Sequence, residues 1–230
     1  MKKIIIAIDG FSATGKSTLS KLLSKHLGYI FVDTGAMYRA VTLFAMKNNC
    51  ISTEFLNKQK IIDLLQNIKL NFKWNADLGF AEMFLNDINI ENEIRTLEVS
   101  RNVSKIAEIS EVRAKLVEQQ QEMGKNKGIV MDGRDIGTVV FPNAELKIFM
   151  NASPEIRAQR RFDELLKEGQ KVTFDEVLKN VQERDYIDTH RADSPLVKAK
   201  DAIEIDNSNI SKEEQFIKVL ELVNQFTKTI

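Results

Sequence analysis

Residues 10–17 read Gly-Phe-Ser-Ala-Thr-Gly-Lys-Ser, a G-x-x-x-x-G-K-S sequence, and no other stretch constrains this chain as much. The apolar run Ile4-Ile5-Ile6-Ala7-Ile8 leads straight into it. An amphipathic segment carrying Leu19, Leu22, Leu23 and Leu27 follows. Strand, loop and helix in that order is the setting in which such a loop binds phosphate. Gly10 and Gly15 supply backbone angles closed to other residues. The loop can then turn its N–H groups around phosphate oxygens, beside the positive end of the helix dipole. Lys16 adds a point charge, and the Ser17 hydroxyl is a ligand for Mg²⁺. The motif implies a nucleotide without saying what becomes of its phosphate.

A chain of 230 residues suits one domain, or one domain with a modest insertion. With 43% hydrophobic and 29% charged residues, it has material for both a sizeable core and a solvated surface. Lys plus Arg equals Asp plus Glu, at 33 each, so bulk electrostatic binding to nucleic acid or acidic membranes has no support. Any positive site must be local. The single cysteine, Cys50, rules out an intrachain disulfide, and a catalytic thiol is not expected. Two histidines, His26 and His190, leave little material for a His-rich metal site or a Ser-His-Asp triad. The apolar run before Asp9 is too short for a signal-peptide core, and no run approaches a membrane span. The expectation is a soluble cytoplasmic protein, and nothing demands more than a monomer.

Short apolar runs at 4–8, 29–32, 129–131, 146–150 and 202–205 read as strands. Helical patterns at 36–48, 112–123, 154–168, 173–187 and 212–226 lie between most of them. Ser153 followed by Pro154 is a good helix start. Strands alternating with helices imply an α/β fold, a parallel five-stranded sheet with helices on both faces. One stretch breaks the rhythm. Leu70, Phe72 and Trp74 alternate with Asn71 and Lys73, and β-rich runs follow at 80–85 and 88–90, after Asn75-Ala76-Asp77-Leu78-Gly79. This predicts a small antiparallel β insert with one buried face, too short to hold a core of its own.

Ligands of open α/β sheets bind at the carboxyl ends of the strands. After the second run comes Asp33-Thr34-Gly35-Ala36-Met37-Tyr38-Arg39. Thr34 and Gly35 offer a helix cap, with Arg39 one turn inside. The segment is either an anion site or a plain capped helix with a surface arginine. After the third run comes Asp132-Gly133-Arg134-Asp135. Here Arg134 can grip a phosphate and Asp135 can accept from a base amino group; a turn with a local ion pair is the alternative. Arg157, Arg160 and Arg161 share one helical face, as do Arg184, Asp188 and Arg191. Each stripe is either a solvated face or an anion site. The first has no acidic partner on its stripe, so its charges repel unless an anion arrives. Together the clusters suggest a second anion site at Arg39, Arg134 and Arg191, with Arg157 and Arg161 bridging to the loop. Two anion sites side by side suit phosphoryl transfer to a phosphate acceptor, which needs no general base.

In these segments the chain resembles the bacterial cytidylate kinases, within the nucleoside monophosphate kinase family of P-loop proteins. The resemblance rests on 8–17, 33–39, Glu-Ile-Arg-Thr at 93–96, Asp-Gly-Arg-Asp-Ile-Gly-Thr-Val-Val-Phe-Pro at 132–142, Lys-Ile-Phe-Met at 147–150 and Glu-Arg-Asp at 183–185. It implies transfer of the γ-phosphoryl group of ATP to CMP or dCMP, with Mg²⁺. It implies a CORE domain at 1–35 and 97–230 with a short lid at about 157–172. A monophosphate-binding region at 36–96 would hold the insert at about 69–90. By the same resemblance, Gly10, Ser12, Ala13, Thr14, Gly15, Lys16, Ser17 and Thr18 hold ATP, with Ser17 on the metal. Thr34, Arg39 and Arg134 position the acceptor phosphate. Ser104, Arg113 and Asp135 read the cytosine edge. Arg184, Asp188 and Arg191 meet ribose and phosphates. Lys16, Arg134, Arg157, Arg161 and Arg191 form the catalytic set. Apart from the resemblance, Asp9 and Asp33 could help hold Mg²⁺ through water. Thr34 stands where the family often has Ser, and Phe11 where Pro is common. Kinases for UMP, AMP or shikimate, a nucleotide-hydrolysing switch or motor, and a nucleic-acid binder using the helix at 157–161 are the competing classes. The segment at 132–135 and the insert argue against other kinases. The second arginine cluster argues against a switch, and zero net charge against a nucleic-acid binder.

Overall fold

A computed structural model describes residues 2–77 and 79–227. Met1 and residues 228–230, at the ends of the expected CORE range, and Leu78 in the expected insert lie outside the described residues. Five parallel strands form the main sheet: β1 (Ile5–Gly10), β2 (Ile30–Asp33), β6 (Ile129–Gly133), β7 (Leu146–Asn151) and β8 (Ile203–Asp206). Their spatial order is β2-β6-β1-β7-β8. The chain leaves the central β1 for one edge and later crosses to the other. The carboxyl end of β1 is therefore where the connections diverge, the usual place for a ligand.

Successive residues of a strand point to opposite faces, and both faces here are covered. Ile5, Ala7, Val32, Ile129 and Met131 pack on one face with residues of α2 (Thr34–Lys47), α4 (Leu97–Ala107) and α5 (Ser110–Met123). Ile4, Ile6, Ile8, Val130, Ile148 and Ile205 pack on the other, against α1 (Lys16–Leu27) and α8 (Lys212–Thr227). This explains why β1 shows no polar alternation. A third cluster joins α6 (Pro154–Lys167) and α7 (Phe174–His190) through Ala158, Leu165, Val177 and Val181, with Leu97 from α4. No helix among the described residues is long and apolar enough to cross a membrane.

The insert is a three-stranded antiparallel sheet of β3 (Leu70–Asn75), β4 (Phe80–Leu85) and β5 (Ile88–Asn89). Leu70 faces Leu85 and Phe72 faces Met83. Its buried face is shorter than the alternation of 70, 72 and 74 suggests, since Phe72 packs against the core but Trp74 does not. Leu70, Met83 and Leu85 join the main core, whereas Trp74, near the hairpin tip, is 70% exposed. The expected domain boundary at 35/36 falls inside α2, whose Ala36, Met37, Ala40 and Val41 belong to the sheet's own core.

Two helices go beyond the sequence expectation. The short α3 (Lys58–Leu64) is capped by Asn57, and α4 is a full element. α2 also begins earlier than expected. Its cap is Asp33, which accepts from Ala36 N at 2.8 Å, not Thr34 or Gly35. The Thr34 hydroxyl turns away and donates to the Asp132 carbonyl oxygen at 2.7 Å.

Candidate active site

β1 ends in a close approach that only glycine tolerates. A Cβ on Gly10 would lie 2.0 Å from the Met150 carbonyl oxygen of neighbouring β7. Gly15, at φ 88°, then turns the chain into α1. Between them the Thr14 hydroxyl donates to the Phe11 carbonyl oxygen at 2.9 Å. Lys16 Nζ donates to the same oxygen at 2.5 Å and to Thr14 Oγ1 at 3.3 Å. Burial and the nearby Arg134 push the Lys16 ammonium well below the usual lysine range. The loop thus holds a desolvated cation that hydrogen-bonds uncharged acceptors, with the charges of Asp132 and Asp9 too weak to offset its burial.

The loop opens onto a cavity of about 440 Å³ at the carboxyl ends of β1, β2 and β6. Of the residues expected in a site, Ser12, Ala13, Gly15, Lys16, Ser17, Thr18, Thr34, Arg39, Ser104, Arg113, Arg134, Asp135, Arg161, Arg184, Asp188 and Arg191 line it. Gly10, Thr14 and Arg157 do not. Gly10 lies beneath the loop, and Thr14 borders a smaller hollow of about 90 Å³ with Arg160, Asn207 and Gln215.

The arginine stripe on α6 is not left without partners, as its spacing suggests. Arg157 pairs with Asp185 of α7, Arg160 with Asn207, and Arg161 with Glu164. The partners of Arg157 and Arg160 come from distant segments, which helical spacing cannot reveal. Arg161 also donates to the Arg95 carbonyl oxygen. Arg184 and Asp188 lie on α7, while Arg191 follows it in extended conformation and still reaches the cavity.

Asp188 organises one wall. It accepts from Ser104 Oγ at 3.0 Å and Arg134 Nε at 2.8 Å. Asp135 pairs with the buried Arg113, whose guanidinium carbon lies 5.8 Å from the Tyr38 ring centroid. On the opposite wall Asp33 accepts from Arg39 Nη2 and Arg95 Nη1, both at 3.0 Å. Burial works to raise the Asp33 carboxyl, but the two guanidiniums hold it well below the usual carboxylate range. Glu91 receives Arg95 Nη2 at 2.6 Å and Met83 N of the insert at 2.9 Å. Arg95 lies within the quoted 93–96 segment, yet its role was not legible there.

Cationic groups remain under-compensated. Burial pushes Arg39 down to about 10. Burial and the neighbouring Arg134 push Arg184 down to about 9. Arg39 Nε, Arg184 Nε and Arg191 Nη2 are buried without hydrogen-bond partners, whereas Arg113 Nε is ion-paired with Asp193 Oδ1 at 3.6 Å. An unpartnered buried donor costs about 1–3 kcal/mol, so the cavity favours an anion.

Ser17 Oγ donates to Asp132 Oδ2 at 2.7 Å, and Asp132 Oδ1 is buried without a hydrogen-bond partner. Burial, with the charge of Asp33 nearby, pushes the Asp132 carboxyl up to about 7. A hydroxyl beside an under-used carboxylate at the loop suits Mg²⁺. Asp132 was not among the expected metal residues; its position near the carboxyl end of β6 was the only signal. Asp9 is committed elsewhere, since both its oxygens accept backbone N–H groups, from Ile136 and Gly137.

A family model described as Cytidylate kinase matches residues 6–225. The chain belongs to the cytidylate kinase family. It is 71% identical to the cytidylate kinase of Flavobacterium johnsoniae, over 99% of each chain. Identity to the cytidylate kinase of Flavobacterium psychrophilum is 70%, over 97% of this chain and 99% of that one. Identity to that of Bacteroides thetaiotaomicron is 56%, over 94% of each. The family's reaction is ATP-dependent phosphorylation of CMP or dCMP, so the enzyme is a nucleotide-binding kinase.

Proposed function

We propose that the enzyme brings ATP and CMP or dCMP together in the main cavity, with the ATP phosphates in the loop at 10–18 and the acceptor phosphate at Arg39, Arg134 and Arg191. The observation that carries this reading is the group of buried, unpartnered guanidinium N–H groups around one cavity. Lys16 releases the Phe11 carbonyl for phosphate oxygens, gaining a negative partner in direct contact. Arg161 faces the space between the two phosphates. Arg157 supports the loop from behind. Ser17 and Asp132 would hold Mg²⁺, which neutralises phosphate charge when bound. An ionised acceptor phosphate needs no base, so positioning and charge neutralisation carry the reaction.

Asp135 selects the base. Cytosine offers an amino donor where uracil offers a carbonyl acceptor. The carboxylate, oriented by Arg113, rewards the first and repels the second. Ser104 and Asp188 complete that wall, with Thr34 and Arg184 at the acceptor phosphate and ribose. A mismatch of about 1–3 kcal/mol gives about one to two decades of discrimination. The working unit in this reading is a monomer, because one chain supplies both halves of the site.

Initial rates of ADP formation with CMP, dCMP, UMP and AMP test the reading. CMP and dCMP should exceed UMP and AMP by about tenfold or more. Equal turnover of UMP removes the cytidine assignment. ADP release at the same rate without acceptor removes the transfer reading.

A further inference from the structure

We infer that Asp185 is a positioning residue for phosphoryl transfer, locking the phosphate-binding loop to α7 through Arg157. Arg157 lies in the first turn of α6 and is only 2% exposed. Its Nε donates to the Ala152 carbonyl oxygen at 2.8 Å. Its Nη1 donates to Asp185 Oδ1 at 3.0 Å and to the Ser12 carbonyl oxygen at 3.3 Å, while Nη2 donates to Asp185 Oδ2 at 2.6 Å. One guanidinium thus ties together the end of β7, the loop and α7.

The two-pronged pair with Asp185 fixes the plane of the guanidinium as well as its position. The plane is what aims Nη1 at Ser12. Phe11 backs the contact, with its ring centroid 5.1 Å from the Arg157 guanidinium carbon and edge-on to Phe149 at 6.1 Å. The Phe11 carbonyl is the one Lys16 uses, so the brace grips the loop next to its catalytic cation. Asp185 also sits beside Arg184 and three residues before Asp188, which both face the cavity. Neither Asp185 nor Arg157 lines that cavity, so Asp185 acts through the loop and not on a substrate.

Loss of Asp185 leaves a buried cation that still holds two carbonyls but has lost its aim. The loop then drifts relative to α7, and a misplacement of about 1 Å in a transfer site can cost about a hundredfold in rate. The acceptor wall has its own supports. Arg184 donates to Ser100 Oγ at 3.1 Å, and Asp188 is held by Ser104 and Arg134. The effect should therefore fall on ATP and on turnover, not on CMP binding. The inference rests on the reading that this loop holds ATP.

Steady-state kinetics with each substrate varied, run on Asp185→Asn, Asp185→Glu, Arg157→Lys and the Asn/Lys double variant, test it. Asp185→Asn should lower kcat/KM for ATP about tenfold or more while KM for CMP stays within about twofold. Asp185→Glu, which keeps the charge, should recover part of the loss. The double variant should lose no more than the worse single one. Unchanged kinetics in Asp185→Asn overturn the inference. So do additive losses, or equal losses for both substrates that track a fall in thermal midpoint. Lys16→Ala is run alongside: wild-type activity there removes the loop as ATP site, whereas wild-type activity in Asp185→Asn alone removes only the brace.

Discussion

Asp9 accepts the N–H groups of Ile136 at 2.8 Å and Gly137 at 2.7 Å, and so fastens the turn after Asp135 to the root of the phosphate loop. Burial pushes its carboxyl up to about 6 from an ordinary 3.8, against the pull of those N–H bonds. The folded chain therefore binds this proton more tightly than the unfolded chain. Its stabilising effect is full below about pH 4 and is lost as pH rises through about 6. Between pH 5 and 7.5 the wild-type chain should lose about 1 kcal/mol more stability than Asp9→Asn, read from urea unfolding at both values. Parallel losses in the two proteins would remove Asp9 as the source. Such residues mark the limit of legibility. That Lys16, Ser17, Arg39 and Arg134 line one cavity was legible, because the loop motif and the strand ends fix where they sit. The Arg95–Asp33 pair spans 62 positions and the Ser17–Asp132 pair 115, and no local spacing encodes either.

α7 carries Arg184, Asp185 and Asp188, so its own anchoring matters to the site. Thr173 caps it in a reciprocal arrangement: Glu176 N donates to Thr173 Oγ1 at 3.3 Å, and Thr173 N donates to Glu176 Oε2 at 3.0 Å. Thr173→Ala should cost about 1 kcal/mol in urea unfolding, with little effect on KM for either nucleotide, since the cap lies well before Arg184. A change in KM without loss of stability would show that the cap shapes the site directly. The capped start of α6 was readable for the same local reason, through Ser153 and Pro154. α4 was not. Its apolar stripe of Val99, Val103 and Ile106 is short, and Ser100, Asn102 and Ser104 are buried beside it. Ser100 and Ser104 face partners on α7: Ser100 donates to Asn180 at 2.8 Å and Ser104 to Asp188. The two buried serines of this helix are the residues that dock α7 beside the cavity.

At the scale of the molecule, the two outlying parts are attached differently. Hairpin residues Leu70, Met83 and Leu85 belong to the same core as Ile5 and Ala7 of β1, and Glu91 ties Met83 N to Arg95. Only the hairpin tip reaches across, where Lys21 of α1 lies 3.5 Å from the Phe80 ring centroid. α6 and α7 instead share a small core of their own, joined to the rest by Leu97. Beyond the Arg157 brace a polar link completes the attachment: Arg161 donates to the Arg95 carbonyl oxygen. A part held mainly by polar links can shift at low cost, because those links can be exchanged for phosphate oxygens. We propose that the part of the α6–α7 pair beyond the Arg157–Asp185 brace moves as one unit, reaching further than the lid expected at 157–172, while the brace and the root of the hairpin stay fixed. Hydrogen exchange with ADP and CMP together, a pair that cannot react, checks this. Amides at 158–166 and 177–182 should slow about tenfold with both ligands and less with either alone. Amides at 83–85, already locked in the core, should change less than about twofold. Protection confined to the hairpin, with α6 and α7 unaffected, would assign the closing motion to the insert.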